Sequence, residues 1–454
     1  MSDSDRIERD SMGEVRVPAG ALYGPQTQRA VENFPISRLR LQRPFLRALG
    51  LIKGAAAHVN GHLGYLPRDT AEAIEAAAEE VIAGNHDSQF VVDVFQTGSG
   101  TSTNMNANEV IARLSGAGVH PNDHVNLGQS SNDVIPSALH IAAAEQIHHT
   151  LVPAMDLLRK SLVHKAEEFA SIVKIGRTHL QDAVPMRLGH EFGAYARQVE
   201  ASMDRVRATL DGLYELALGG TAVGTGLNAP PGYAQATIER IQLQTRLPFR
   251  RARNHFEAQA ARDAVSFASG ALKSYALALT KIANDVRLLG SGPRCGLGEL
   301  RLPAVQPGSS IMPGKVNPVI AESLLMACAQ VVGHDATIAW CCAWGNFELN
   351  AMLPVMAYDL LDSIELLAAV SRNFRDRCIE GLEADRDRIH AFLEQSLALG
   401  TALAPHIGYD RAAALVKEAY DTGRTIREVA REKSGLDEQT LSRLLDPARQ
   451  AGEH

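Results

Sequence analysis

Three features of this chain predict an all-α fold. Hydrophobic residues make up 45% of it and aromatics only 5%, a balance that favours closely packed helices over a sheet. Proline, which helix interiors exclude, is missing from five long runs: 154–184, 186–229, 249–292, 319–353 and 355–404. Inside these runs apolar residues recur at helical spacing, as in Phe192, Tyr195, Ala196, Val199, Met203, Val206 and Leu210. Several helices of 25 or more residues are expected.

The length of 454 residues calls for about two to four domains, and the pattern divides the chain into three. Residues 1–128 hold shorter helical patterns and polar loops, with an alanine-rich helix over 70–84. Residues 129–390 carry the long helices of a central bundle. Residues 391–454 return to short helices around PHIGYDRAAALVKEAYDTG. In the central part SLLMACAQVVGHDATIAWCCAWG, 323–345, is apolar nearly all round; a narrow monomeric bundle leaves such a surface wet, so either the bundle is thick or other subunits cover it, and oligomerisation is favoured.

A net charge of −7 with no basic cluster argues against nucleic-acid or anionic-membrane partners. The N-terminal MSDSDRIERD is charged and lacks an apolar centre, so it reads as neither a secretory signal nor a transit peptide. The longest stretch free of charge, 216–238, is broken by glycine and proline, which argues against a membrane span. Cysteines 295, 328, 341, 342 and 378 form no CxxC pair; a reducing, cytoplasmic setting fits them better than a disulfide scaffold or zinc ribbon.

Five stretches are rich in small polar residues: TGSGTSTNMNANE (97–109), HPNDHVNLGQSSND (120–133), GRTHLQD (176–182), GGTAVGTGLN (219–228) and QPGSSIMPGKVNP (306–318). Any one of them is most simply a turn or a helix cap. Together they supply donors suited to carboxylates. The last is a loop of prescribed shape, with Pro307, Pro313 and Pro318 removing backbone donors and Gly308 and Gly314 opening φ. No phosphate-cradle motif accompanies GSGT or GTG. His58 and His62 lack a third metal ligand and read as helix-surface residues, and His148 and His149 as solvent-facing. His179 sits in a polar loop, held there either by backbone carbonyls or as a working acid/base group. Glu322, opening the helix after the 306–318 loop, is either a first-turn acid or the partner that fixes the tautomer of His179.

In this order TGSGTSTNMN, HPND with QSSND, GRTHLQD, GGTAVGTGLN, GSSIMPGKVNP and GNFELN (345–350) resemble the signature segments of the class II fumarases, within the fumarase/aspartase superfamily. The resemblance runs from about residue 10 to PHIGYD at 405–410. Aspartate ammonia-lyases read GRTQLQD and MPAKVNP where this chain has His179 and Gly314, so fumarase is favoured. Aspartase remains the runner-up, on TSTNMNANEVIA and HPNDHVN, beside a hydratase of a substituted fumarate such as mesaconate.

The resemblance implies a homotetramer around a twenty-helix core, with active sites shared by three subunits. It implies reversible hydration of fumarate to (S)-malate through an aci-carboxylate, a step of the tricarboxylic acid cycle, with no cofactor and no metal. By the family pattern Ser309 is the base for the C3 proton, helped by Lys315, while His179 backed by Glu322 acts on the opposite face. Ser99, Gly100, Thr101, Ser130, Ser131, Asn132, Thr178, Ser310, Lys315, Val316 and Asn317 are implied to hold the dicarboxylate. His120, Pro121, Asn122 and Asp123 resemble a second dicarboxylate site, where the preceding SGAGV lacks the basic residues that some relatives place there.

Overall fold

A computed structural model of the chain describes residues 5–452; Met1–Ser4 and the last two residues, included above in the outer parts and in the charged N-terminal segment, lie outside it. The fold is predominantly helical, as the composition predicts. Its only sheets among the described residues are five two-stranded ones. The first, β1 (Arg6–Asp10) against β2 (Gly13–Val17), is an antiparallel hairpin that the helical reading of residues 1–128 did not include.

The chain folds as two compact units, each built from three separated stretches. The first comprises the described residues up to Pro153, Ser202–Leu277 and Ala327–Ala369. It contains α1 (Pro25–Asn33), α2 (Arg43–His62), α3 (Arg68–Ala83), α4 (Thr101–Ser115) and α5 (Ser131–Gln146). The alanine-rich pattern at 70–84 is α3. Its small side chains let α2 lie close: a Cβ on Gly61 would sit 2.7 Å from that of Ala71, and one on Gly50 2.8 Å from Ile82. α2 and α5 bury long runs of consecutive residues, among them Leu49, Ile52, Ala55, Leu139 and Ile141. That makes them the centre of this unit.

The second unit comprises Ala154–Ala201, Ala278–Met326 and the described residues from Val370 on. α6 spans Val152–Glu168. After it the chain makes a second antiparallel hairpin, β3 (Val173–Thr178) with β4 (Gln181–Arg187), and then α7 (Leu188–Ala208). The proline-free run 154–184 is therefore helical only in its first half. Its second half is rich in β-formers, and Phe169, Ile172 and Ile175 bury their side chains beneath the hairpin. Towards the C-terminus Leu399, Leu403, Leu415, Ile426, Val429, Leu441 and Leu445 form a small core of their own.

The other long helices are Asp263–Leu289, Val319–Cys342 and Leu353–Phe374, of 27, 24 and 22 residues. Only the first exceeds 25 as a single span, although α5 continues into α6 through one wide turn, Ile147–Leu151. Val319–Cys342 is long and apolar enough by length and composition to cross a membrane, but it carries Glu322 and Asp335 and packs one face within the chain, so it does not overturn the expectation drawn from 216–238. One stripe, Cys328, Val331, His334, Asp335, Ile338 and Cys341, is buried, with Asp335 accepting a hydrogen bond from Ser269 Oγ at 2.7 Å. The opposite stripe leaves Met326 and Trp340 exposed, so the apolar circumference seen in the sequence is half covered within the chain.

Candidate active site

The sequence-predicted residues fall into three groups. In the first unit, α4 and α5 bring their N-termini together. Gly100, left-handed at φ 75°, turns the chain into α4, and a Cβ there would strike Ile135 of α5 at 2.8 Å. Gly98 is equally constrained, since its Cβ would lie 1.8 Å from the carbonyl oxygen of Ala351. α5 starts with a capping box: Ser130 Oγ accepts from Asn132 N, and Asp133 Oδ1 accepts from Ser130 N at 2.9 Å. Ser99 Oγ and Thr101 Oγ1 share a hydrogen bond of 2.9 Å, and Ser131 Oγ accepts from Asn104 Nδ2 at 3.0 Å.

Hydroxyls thus cluster at two helix N-termini, where free backbone N–H groups and the helix dipoles favour an anion. The 219–228 stretch belongs to the same cluster. Asp133 Oδ2 accepts from Gly219 N and Thr221 N at 2.8 and 3.0 Å, and Asn132 Nδ2 donates to Ala222 O at 2.8 Å. Burial pushes the Asp133 carboxyl up to about 6 against the pull of these amides.

The second group is the turn joining β3 to β4. Thr178 pairs with Gln181, leaving His179 and Leu180 as the two turn residues, both left-handed at φ 56° and 59°. Such turns prefer Asn-Gly; a His-Leu pair is strained there and holds its side chains out. Thr178, His179 and Leu180 are all exposed. The sequence reading had this stretch as a loop because it lacks the usual turn residues. Charges anchor the stem: Arg177 donates to both oxygens of the fully buried Glu299 at 2.7 and 3.1 Å, and the buried Lys174 lies 2.9 Å from Glu191 and 3.5 Å from Glu299.

The third group is the 306–318 loop. Gly308 N donates to Lys315 O at 2.8 Å and Asn317 Nδ2 donates to Gly308 O at 2.6 Å, which ties its two ends together. A Cβ on Gly308 would lie 2.5 Å from Lys315 O. The loop surrounds a cavity of about 410 Å³ lined by Ser309, Met312, Gly314, Lys315 and Val316 among others. Ser309 Oγ accepts from Ile311 N at 3.2 Å and Met312 N at 3.0 Å, and two such donors favour the ionised form of a hydroxyl. Ser310, Lys315 and Val316 are exposed. Of the charges flanking the loop, Glu299 is spent on Arg177 and Arg301 on Asp385, at 2.7 Å in each case.

Glu322 stands in the first turn of Val319–Cys342 and is exposed. His179 and Glu322 share no hydrogen bond or ion pair within the chain, among the described residues.

Of the second expected site His120, Pro121 and Asn122 line a cavity of about 730 Å³ in the first unit, and Asp123 does not. His120 Nδ1 accepts from Asp123 N at 3.1 Å, so its ring caps the wide turn Pro121–Val125. The cavity also takes in Arg9 and Arg113, basic groups absent from the local SGAGV, together with Glu8, Asp10 and Glu109.

Sequence reasoning missed Lys53, Asn104 and Asn126. Lys53 is fully buried in α2 and donates to Asn126 Oδ1 at 3.0 Å and Gln129 Oε1 at 2.8 Å. The one available signal was a single lysine inside the apolar run LGLIKGAAAHV. His58, expected on the surface, pairs with Glu75 at 3.0 Å.

Residues 13–333 match the Lyase family and residues 399–449 match the fumarase C C-terminus. Fumarate hydratase class II of Mycobacterium tuberculosis is 54% identical over 97% of this chain and 95% of its own length. Fumarate hydratase class II 1 of Pseudomonas aeruginosa is 51% identical over 99% of each. The crystal structure of a class II fumarase from Schistosoma mansoni superposes with a TM-score of 0.96 at 40% identity, covering 99% of this chain and all of that one. On the fold, the ordered polar segments and these likenesses, the chain belongs to the class II fumarate hydratases of the Lyase family.

Proposed function

We propose that the chain catalyses the reversible hydration of fumarate to (S)-malate in sites assembled by a homotetramer, each drawing on three subunits. The hard step is removal of a carbon-bound proton beside a carboxylate, which makes a doubly charged aci-carboxylate. Fixed donors and cations lower the energy of that intermediate more than a strong base alone would.

In this reading Ser309 takes the C3 proton. A neutral serine is a poor base, and the observation that carries the assignment is the pair of backbone N–H groups from Ile311 and Met312 that meet Ser309 Oγ. Lys315 adds positive charge from the same loop. His179, held out on its strained turn, acts on the opposite face through a water, protonating the departing hydroxyl. Glu322 fixes its tautomer. Because the two share no hydrogen bond or ion pair within the chain, among the described residues, this reading puts the pairing between protomers. Groups working from opposite faces give anti elimination. Ser99, Thr101, Ser130, Ser131 and Asn132, with Thr178, Ser310 and Asn317, hold the carboxylates, and the backbones of Gly100 and Val316 complete the contact. The exposed Met326 and Trp340 stripe supports assembly through the long helices.

Mixing the protein with malate and following the absorbance of the fumarate double bond near neutral pH tests this directly. Turnover with malate supports the hydratase. Silence with malate, combined with ammonia-dependent loss of fumarate, would make it an aspartase. Sedimentation at working concentration tests the tetramer.

A further inference from the structure

We propose that Lys53 and Asn104, which lie behind the donor cluster, are positioning residues for substrate recognition: a buried ammonium and an amide that aim the Ser131 hydroxyl and add positive potential beneath the two helix ends. This rests on the assignment of Ser131 to carboxylate binding made above.

The hydrogen bonds run in one direction. Lys53 Nζ donates to Asn126 Oδ1, which also accepts from Asn104 Nδ2 and Asn108 Nδ2, each at 3.1 Å. Asn126 Nδ2 donates to Gln129 O at 3.2 Å. The other Nδ2 proton of Asn104 goes to Ser131 Oγ at 3.0 Å. The Ser131 oxygen therefore acts as acceptor towards the protein, and its own proton is left for an outside acceptor. A carboxylate oxygen is such an acceptor.

The charge has the same bias. Lys53 is held by two neutral amide oxygens and, among the described residues, by no carboxylate at ion-pair distance. Asp133 acts on it only through space, with its oxygens already engaged by Ser130, Gly219 and Thr221 backbone N–H groups. A buried ammonium with uncharged partners costs several kcal/mol, and an apolar residue of similar volume is often as good or better for stability. Its retention behind a site built for a dianion points to recognition. Asn104, Asn108 and Lys53 are all almost fully buried, so the network is rigid before the ligand arrives.

The test uses the full-length protein. Lys53→Met and Asn104→Leu are compared with wild type for Tm and for kcat and KM with malate on the acid side of neutrality, where Lys53 carries its proton. Lys53→Met leaves Asn126 Oδ1 two donors and takes the Lys53 donor from Gln129 Oε1, which is only half-buried, so the fold is expected to survive with Tm little changed, while KM for malate rises about tenfold and kcat falls by less than about threefold. Asn104→Leu is expected to raise KM about fivefold. A folded Lys53→Met with wild-type KM would overturn the proposal. So would a Lys53→Met that cannot be recovered folded, because a charge kept for recognition is dispensable to the fold. A wild type inert towards malate would instead remove the functional reading itself.

Discussion

The donor cluster at the ends of α4 and α5 and the pair formed by the 178–181 turn and the 306–318 loop are built on opposite principles. The first is buried or half-buried, closed by side-chain amides, and braced by Gly98 and Gly100 at positions where no larger residue fits. The second is exposed, strained at His179 and Leu180, and tied mainly through backbone. Recognition of a fixed charge pattern gains from rigidity, because every donor oriented beforehand is entropy not lost on binding. On the proposed reading the exposed groups transfer protons and have to meet substrate and partner side chains, a task that standing clear of their own chain suits. Strain of this kind persists only where the surroundings enforce it, here through the Arg177, Glu299 and Lys174 charges below the turn.

If that division holds, substitutions on the exposed side strike kcat and those on the buried side strike KM. Ser309→Ala is the largest break: turnover is expected to fall at least about a hundredfold, with substrate binding and assembly preserved. A near-normal rate in stopped or continuous absorbance assays would take the base role from Ser309. His179→Asn should lower kcat substantially with little change in KM; unchanged activity would make the turn purely structural.

On the buried side the effect shifts to stability against pH. Burial lowers Lys53 to about 7, below the ordinary lysine value of about 10.4. Between these values the unfolded chain binds more protons than the folded one, so this group's contribution to stability rises with pH across that window. Denaturant midpoints of wild type and Lys53→Met at pH 7 and 9 read it: the wild type should gain relative to the variant, and parallel behaviour would show that Lys53 titrates normally. The smallest effect compares two capping boxes. Thr425 and Glu428 cap a helix of the C-terminal core just as Ser130 and Asp133 cap α5. Thr425→Ala should cost about 1 kcal/mol of stability and leave malate kinetics alone; a changed KM would erase the distinction between a cap and a donor.

Much of this was legible without coordinates. The proline-bounded loop at 306–318, the alanine-rich α3 and the helical period of 192–206 are local patterns, and each stands where its residues put it. The β3–β4 turn was not legible, because Thr-His-Leu-Gln carries none of the residues that such turns favour and its geometry is imposed by neighbours. The β1–β2 hairpin and the incomplete burial of Val319–Cys342 were missed for a related reason: pairing and coverage depend on distant segments.

By itself, then, the sequence determined the helical class, the alanine-rich α3 and the chemical vocabulary of five polar segments, since propensity and period act over a few residues. Tertiary structure alone decided which segments share a surface: α2 delivers Lys53 to Asn126, and α4 delivers Asn104 to Ser131, over separations of 73 and 27 residues. Packing, which no local pattern encodes, brought an inconspicuous lysine and asparagine beneath the hydroxyls of the donor cluster.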